Sequence, residues 1–298
     1  MRSGLLFGVG AYGMWGMFPA FFPLLKPAGA VEVLAHRIIW SFLLMVVVVA
    51  VVRRMGDLRR ITRREWLLLT AAAALISVNW LIYVYAVNNG HVVDAALGYF
   101  INPLVSIALG MLMFRETLNR WQIGALALAV VAVVVLTVSL GELPLVGLGL
   151  AFSFGLYGAV KKLVPTDPRV SVGVEAGLAT PVALVYVIVA QAAGHATFTA
   201  HGGGHVALMI SAGILTALPL LCFAAAAQRL PLVTLGLLFY MTPAMQLTWG
   251  VLVGGEPMPP ARWVGFALIW VALLLFTVDA VRRARTGRRG ANVVDAVA

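Results

Sequence analysis

Apolar stretches of about twenty residues recur along the whole chain, and short polar segments separate them. A helix of that length crosses the roughly 30 Å hydrocarbon core of a bilayer, whereas a membrane barrel would show short alternating segments. The pattern predicts an all-α polytopic membrane protein with ten transmembrane helices. The predicted spans are residues 4–25, 33–52, 66–88, 93–114, 120–139, 144–164, 170–192, 206–228, 232–254 and 261–280.

Two of these spans contain a proline at matching positions. Pro103 follows Asn102 in the fourth span and Pro243 lies in the ninth, and thirteen positions after each proline comes a glutamate, Glu116 or Glu256. A proline inside a helix leaves a backbone carbonyl without its usual partner. Matched interruptions in two halves of a chain point to the central site of a transporter. We therefore predict helix breaks at both prolines, beside a central site.

The matched positions divide the chain into two similar halves. Residues 1–141 form the first predicted five-helix repeat and residues 142–281 the second. Because five is an odd number, the second half enters the membrane in the opposite sense, which makes the pair an inverted-topology repeat. Residues 282–298 form a basic cytoplasmic tail that we expect to be disordered.

Composition and charge agree with a membrane chain. Of the 298 residues, 62% are hydrophobic and only 11% are charged, which is too few charges to cover a soluble domain of this size. The net charge of +10 would fit nucleic acid, but the 21 Lys and Arg residues are distributed very unevenly. Only Lys26 and Arg262 fall on one side of the predicted membrane, and Arg37 lies inside a span. This bias predicts cytoplasmic termini and removes nucleic acid as a partner.

Polar and aromatic side chains inside the spans are candidates for a binding site, because each needs a partner or a cavity in hydrocarbon. The candidates for substrate binding are Tyr12, Trp15, Asn79, Tyr83, Tyr99, Asn102, Tyr157 and Tyr240. The alternative is that the amides bond to neighbouring helices, while the rings pack or belong to the interfacial aromatic belt.

The turn before the fourth span contains a histidine and an acidic residue. A carboxylate near a histidine can take up and release protons, which makes Asp94 and His91 candidates for proton coupling. Aspartate is also common at the start of a helix, where its carboxylate accepts hydrogen bonds from free amides. We favour the second interpretation, in which Asp94 caps the fourth span.

Three ionisable residues begin the second span. Glu32 and His36 are four positions apart and share a helix face, and Arg37 is close enough in sequence to pair with Glu32. We favour a structural ion pair or gate, because the cluster lies near the membrane interface. The alternative is that Arg37 captures a substrate carboxylate through two parallel hydrogen bonds.

The sequence lacks the motifs of a membrane enzyme or a nucleotide-driven pump, since it has no Walker A sequence and no paired-histidine zinc motif. His195, His201 and His205 surround a glycine run, and we interpret them as part of an outer loop rather than a metal site. We predict no enzyme activity, no metal site and no cofactor.

Several strings in the chain resemble one family of bacterial permeases. They are residues 36–41, 79–80, 86–89, 97–104, 149–155, 219–223 and 266–273, and the resemblance spans essentially the whole chain. They are similar to the RarD proteins in the EamA branch of the drug/metabolite transporter superfamily. The resemblance implies a bacterial inner-membrane permease with ten helices in two EamA repeats. Members carry a chloramphenicol-sensitive label and their relatives export amino acids and other small metabolites, which is the implied substrate class.

The expected function is secondary transport of a small metabolite or drug by alternating access. An amino-acid-like solute is favoured, and proton-coupled export is one option. Two alternatives stay open, namely a translocator of lipid-linked or amphiphilic drug substrates and a membrane sensor or assembly partner that does not transport. The expected partners are a small-molecule substrate and the lipid bilayer, and the expected state is a monomer or a homodimer.

Overall fold

Helices dominate the computed structural model because an apolar chain inside a bilayer must satisfy its backbone amides and carbonyls internally. The structure describes residues 2–115, 117–227, 229–230 and 232–295. The α-helices are α1 (Arg2–Gly16), α2 (Phe18–Phe21), α3 (Ala30–Val51), α4 (Arg63–Asn88), α5 (Val92–Phe114), α6 (Arg120–Leu140), α7 (Leu145–Lys162), α8 (Pro168–Ala192), α9 (Gly202–Ala227), α10 (Leu232–Phe239), α11 (Met241–Leu252) and α12 (Pro260–Asp295). Short 3₁₀ segments cover Phe22–Leu25 and Met55–Arg60.

Seven described helices are long and apolar enough to cross a membrane. They are α3, α4, α5, α8 and the apolar parts of α6, α9 and α12. An eighth crossing results if α1 and its continuation Phe18–Leu25, which bends away by 44°, count as one span. The class of polytopic helical membrane protein is therefore confirmed. The predicted sixth and ninth spans correspond to α7 and to the α10–α11 pair, which are not among these helices, so the number ten stays a prediction.

Local sequence signals account for several helix ends. Thr62 begins α4 with a capping box, in which its hydroxyl accepts from the amide of Glu65 and the Glu65 carboxylate accepts from the amide of Thr62. Asn119 and Gln122 form the same arrangement at the start of α6. The C-cap of α6 is Gly141, whose φ of 75° is the left-handed conformation that favours glycine.

The two matched prolines differ in their effect on the helices. Pro103 lies inside α5, which continues without interruption, so the prediction of a helix break there is wrong. A proline removes one hydrogen bond, and a membrane helix can continue when neighbouring groups compensate. The ninth predicted span does break, but at Tyr240, between α10 and α11 and before Pro243.

The ends of the bundle differ in charge and in the loops that meet there. Near the start of α4, Glu65 accepts a hydrogen bond of 3.1 Å from Thr166, which precedes α8. We call this the basic end, because Arg53, Arg54 and Arg63 lie beside it. At the other end, which we call the opposite end, the start of α3 meets the loop between α8 and α9.

Helices from the two predicted halves pack closely against each other. The main contacts join α5 with α7, α4 with α7, α3 with α8, α3 with α9, α1 with α9 and α6 with α12. The backbone of α12 is helical to Asp295, whereas the sequence predicts a disordered tail from residue 282. The turn between α6 and α7 contains residue 141, the predicted boundary of the halves. The division into two repeats stays a prediction.

Gly98→Ala should destabilise the bundle, because α5 and α7 approach too closely for a side chain. A Cβ at Gly98 would lie 2.5 Å from the carbonyl oxygen of Gly147 and 3.0 Å from the Cβ of Leu150. We expect a loss of about 1–3 kcal/mol in the free energy of unfolding. Thermal unfolding of the purified protein in detergent measures it. Gly158→Ala in α7 is the control, because nothing lies within 4 Å of its Cβ position, and equal effects of both changes would contradict the close contact.

Candidate functional site

A cavity of about 610 Å³ lies inside the bundle, between helices of both predicted halves. Its wall is mostly apolar, and its aromatic residues include Trp15, Phe154, Phe223 and Phe239. At the basic end the lining reaches the partly exposed start of α8, at Asp167. Pockets for small molecules have this size and this mixture of a mostly apolar wall with a few polar groups.

Six of the eight predicted binding residues lie on the cavity wall. They are Tyr12, Trp15, Asn79, Tyr83, Tyr99 and Tyr157. Asn102 and Tyr240 do not line the cavity. The Asn102 side chain lies against Gly155 of α7, with its Oδ1 buried and without a hydrogen-bond partner. Tyr240 packs against an apolar cluster that contains Phe266.

Asn79 has a structural role in addition to its place on the wall. Its Nδ2 donates to the carbonyl of Leu150 at 3.1 Å and to Oγ of Ser153 at 2.9 Å, which ties α4 to α7. The hydroxyl of Tyr99 lies 3.5 Å from Asn79 Oδ1. Both interpretations of the amide, as part of a polar pocket and as a bond between helices, apply to this residue.

Arg37 lies on the cavity wall and is only 1% exposed. Its Nε donates to Oγ1 of Thr216 at 2.9 Å, while its Nη1 has no hydrogen-bond partner. The guanidinium carbon lies 4.8 to 5.5 Å from the ring centroids of Trp80, Phe22 and Phe18. Such aromatic contacts stabilise a cation, but they leave the edge of the guanidinium free to donate.

The predicted ion pair between Arg37 and Glu32 is wrong. Glu32 instead accepts from the amide of Thr197 at 2.6 Å and from that of Phe198 at 3.2 Å, in the loop between α8 and α9. The reason is geometric, because five positions along a helix turn a side chain by about 140° away from its neighbour. His36 stacks on the Phe198 ring at 4.3 Å between ring centroids. Glu32 and His36 thus bind the loop between α8 and α9 at the opposite end, whereas Arg37 lines the cavity.

A buried ion pair lines the cavity toward the basic end, and sequence reasoning did not select it. Lys161 Nζ lies 2.5 Å from Oε1 of Glu175, which is 5% exposed. The Tyr157 hydroxyl donates to Glu175 Oε2 at 3.0 Å, and Ser171 bonds to both members of the pair. The available signal was its spacing: Glu175 follows Glu32 by 143 positions, close to the 140 positions between Pro103 and Pro243 that relate the two predicted halves.

A second pair lies at the entrance of the cavity. Arg169 donates to Asp167 from its backbone amide at 2.9 Å and from Nε and Nη2 at 3.1 and 2.9 Å. The side-chain hydrogen bonds from Arg169 lower the pKa of Asp167 to about 2. The Asp167 carboxylate therefore stays charged and paired throughout the physiological pH range.

The opposite end is closed by a glutamate that caps a helix from the other predicted half. The carboxylate of Glu256, between α11 and α12, accepts from the amides of Val92 and Val93 at 2.6 and 2.8 Å. These are the first amides of α5, which have no partner inside the helix. Burial raises the pKa of Glu256, although the two amide bonds act in the opposite direction. Its predicted counterpart Glu116 lies outside the described residues.

The favoured role of Asp94 as the cap of α5 is wrong, because Glu256 provides that cap. Asp94 lies within the first turn of the helix, where its Oδ2 is 3.2 Å from Nδ1 of His91 and its Oδ1 is 3.4 Å from Nη2 of Arg262. Neither Asp94 nor His91 lines the cavity, so proton coupling through them would act at the closed end.

Two residues of the cavity wall, Thr216 and Gln246, were not among the candidates, because no pattern in the sequence distinguished them.

Many apolar helices around an internal cavity with a few polar groups define the class of polytopic membrane protein that contains the helical transporters. The model of the EamA-like transporter family matches residues 2–138. Protein RarD from Streptomyces exfoliatus is 50% identical, over 96% of this chain and 92% of its own. The uncharacterized transporter YojE from Bacillus subtilis is 41% identical, over 96% and 97%. A solved crystal structure at 16% identity has a TM-score of 0.61 over 95% of this chain and 99% of its own, which shows the fold alone.

The chain belongs to the RarD proteins of the EamA family, in the drug/metabolite transporter superfamily. The resemblance found from the sequence strings is confirmed. These names indicate a multi-pass membrane transporter rather than an enzyme.

Glu256→Ala should weaken the closed end, because the amides of Val92 and Val93 would lose their acceptor in a buried place. Losing a helix cap costs about 0.5–2 kcal/mol. We expect a lower unfolding temperature and faster exchange of the first amides of α5, measured by hydrogen–deuterium exchange. Glu142→Ala, at an exposed turn of the same end, is the control. Unchanged exchange at the start of α5 would contradict this role for Glu256.

The raised pKa of Glu256 predicts a pH effect of defined sign. The folded protein binds this proton more tightly than the unfolded chain, so the contribution to stability is full below the ordinary pKa of 4.5 and is lost as the pH rises through the raised value. Glu256→Gln cannot ionise and should remove this part of the pH dependence. Unfolding temperatures of both proteins across the mildly acidic range test it, and parallel curves would contradict the raised pKa.

Proposed function

We propose that this protein is a secondary transporter that binds a small, amino-acid-like metabolite in the central cavity and moves it by alternating access. The observation that supports this proposal most directly is the cavity itself. It has a volume of about 610 Å³ and is lined by polar and aromatic groups of both predicted halves. Its described lining reaches the basic end, at Asp167 and Arg169, and includes neither Glu32 nor Glu256 of the opposite end. A transporter needs such a site, which is accessible from one side at a time.

We further propose that ten spans form two inverted repeats. The helix contacts support this pairing, because several of the main ones recur when the two sets of helices are exchanged. The contact of α1 with α9 has its counterpart in that of α4 with α7, and the contact of α5 with α7 has its counterpart in that of α1 with α11. In a contact between equivalent helices, such as α3 with α8 or α6 with α12, the exchange swaps the two partners and leaves the contact unchanged. Related bundles of this kind can rock against each other around a fixed site.

The proposed location is the bacterial inner membrane, with the basic end and both termini in the cytoplasm. The excess of Lys and Arg at that end supports this orientation. The cavity then faces the cytoplasm, while Glu256 and Glu32 close the outer end. This is the arrangement of an exporter before it takes up its solute. Because one chain supplies the cavity wall, we propose that the monomer is the transport unit.

We propose that proton coupling acts at the outer end of the bundle, through Asp94 and the groups around it. His91 and Arg262 lie within 3.5 Å of Asp94, and Asp94 also acts electrostatically on the carboxylate of Glu256. These groups join the α4–α5 turn to the α11–α12 loop, which must separate when the outer end opens. A proton taken up there would change the strength of that contact.

Filling the cavity should abolish transport without affecting the fold. Ala176 of α8 lines the cavity, and Ala176→Trp would place a large ring in it. We expect about a tenfold or greater loss of initial rate, because a ring of this size removes much of the space for a solute. Counterflow measures this loss. Proteoliposomes are loaded with one unlabelled amino acid at a time and then receive the same amino acid in labelled form.

Val182→Trp is the matched control, because Val182 lies on the same helix and is 74% exposed on the outer surface. It should retain the wild-type rate. Saturable accumulation in wild type and in the control, with loss in Ala176→Trp, supports transport through the cavity. Accumulation of an amphiphilic drug instead of any amino acid would favour the drug translocator. An absence of flux for every solute would contradict the proposed function.

A further inference from the structure

We propose that Arg37 is the anchor for the carboxylate of the solute, so that the cavity selects small organic carboxylates with an apolar body. This inference rests on the proposed function, because it assigns a ligand class to the same cavity. The structure supports it through the burial of Arg37, through the pairing of the other charges in the cavity and through the donor that Arg37 leaves without a partner.

A buried cation normally has an anionic partner, because removing a charge from water is costly unless an opposite charge or several acceptors replace the water. Arg37 is almost completely buried, yet no carboxylate of the described residues lies within ion-pair distance of it. The ionisable groups that act on it electrostatically are the phenols of Tyr99 and Tyr83. Within the described part of the chain, its hydrogen bond goes to the neutral hydroxyl of Thr216.

The remaining charges on the cavity wall cancel in pairs. Lys161 is paired with Glu175, and Arg169 is paired with Asp167. Arg37 therefore contributes one uncompensated positive charge to the described wall of the cavity. One carboxylate supplies the one negative charge that this wall lacks.

The guanidinium is held in a defined orientation. The bond from Nε to Thr216 fixes one edge, and the rings of Phe22 and Trp80 lie near the guanidinium. The Nη1 group is left as a donor without a partner. A planar guanidinium whose position is fixed in this way is well suited to a planar carboxylate.

Two further groups fit a carboxylate with a polar substituent. The Tyr83 hydroxyl is buried next to the Gln246 side chain without a hydrogen bond of standard geometry, so it can donate to the second carboxylate oxygen of a solute. Gln246 Oε1 is also without a partner, although its Nε2 donates to the carbonyl of Trp15 at 3.3 Å. This oxygen is an acceptor for an ammonium or hydroxyl group of the solute. The aromatic rings of the wall would contact the apolar body.

A phosphate group fits these observations less well than a carboxylate. A phosphate carries close to two negative charges at neutral pH and is usually bound by several cations or by backbone amides. Here one guanidinium is unpaired, and the nearest lysine on the wall, Lys161, already has a carboxylate partner. We therefore assign the ligand class to carboxylates.

The test measures binding directly, in the absence of transport. Purified protein in nanodiscs is titrated with benzoate and with phenylalanine, and separately with the corresponding amides. These are benzamide, which is neutral, and phenylalaninamide, which lacks the carboxylate but keeps the ammonium group. Isothermal titration gives the dissociation constants. We expect at least one carboxylate to bind and its amide to bind about 30-fold or more weakly, because truncation of a buried charge pair has an effect of this size.

Arg37→Gln should weaken binding of the carboxylate by about 30-fold or more and leave amide binding unchanged. Arg37→Lys should show an intermediate loss, because lysine keeps the charge but lacks the planar group with its fixed donors. Arg120→Gln is the matched control, since its guanidinium also lies over a tryptophan, 5.7 Å from the Trp121 ring, but it does not line the cavity.

Unfolding temperatures separate binding from folding. Without ligand, Arg37→Gln should be as stable as wild type or more stable, because it removes an unpaired buried charge. In wild type, but not in this variant, benzoate should raise the unfolding temperature. A strongly destabilised Arg37→Gln protein would show that Arg37 is structural, and it would overturn the inference.

The other outcomes are distinct. Equal binding of carboxylates and amides, no binding of either carboxylate, or tighter binding of phenyl phosphate than of benzoate would overturn the assignment to carboxylates. Saturable counterflow of a neutral solute would then leave the transporter function intact. Carboxylate binding that depends on Arg37, in a protein without any counterflow, would support the site and contradict the proposed transport.

Discussion

A charge buried among these apolar helices needs a partner, and the choice of partners organises the bundle. Glu32 accepts from the loop between α8 and α9, and Glu256 accepts from the first amides of α5. Each bond joins an acid of one predicted half to backbone amides of the other. The amides at the start of a helix carry partial positive charge and lack partners, so a carboxylate is stabilised there without a basic side chain. These contacts hold the opposite end closed, and the cavity extends toward the other end.

Close helix crossings determine where the cavity can lie. Gly98 and Gly147 let the backbones of α5 and α7 touch, and this contact fixes Tyr99 and Phe154 at an edge-on distance of 6.3 Å on the wall. Helix association in lipid depends on such packing, because the bilayer supplies little hydrophobic force between helices. The same helices contribute Tyr99 of α5 and Phe154 of α7 to the cavity wall, so this crossing sets one side of the cavity.

The sequence predicted the class of fold and much of the cavity wall, because both depend on local patterns. Apolar length defines a membrane helix, and polar or aromatic residues inside it face the interior more often than lipid. It failed where distant residues decide the outcome. The cap of α5 comes from Glu256, which is 164 positions away from Val92, and no local signal distinguishes it from Asp94. Thr216 and Gln246 contact the cavity only because their helices meet there. Glu32 and Arg37 are close in sequence, but a spacing of five residues places them on different faces of the helix.

The residues that depart from the proposed repeat are the ones that define its chemistry. Glu32 corresponds to Glu175, and both are buried and hydrogen-bonded. In the proposed inverted repeat they occupy equivalent positions toward opposite ends of the bundle. The offset that relates them places Thr180 opposite Arg37, and the neighbouring positions in α8 contain no basic residue. Thr180 bonds to the carbonyl of Ala176 in its own helix. Alternating access requires two equivalent ends, but a bound solute is asymmetric and needs its charged group recognised only once. Arg37, the arginine without an acidic partner on the described wall, meets that requirement in the proposed pseudo-symmetric cavity.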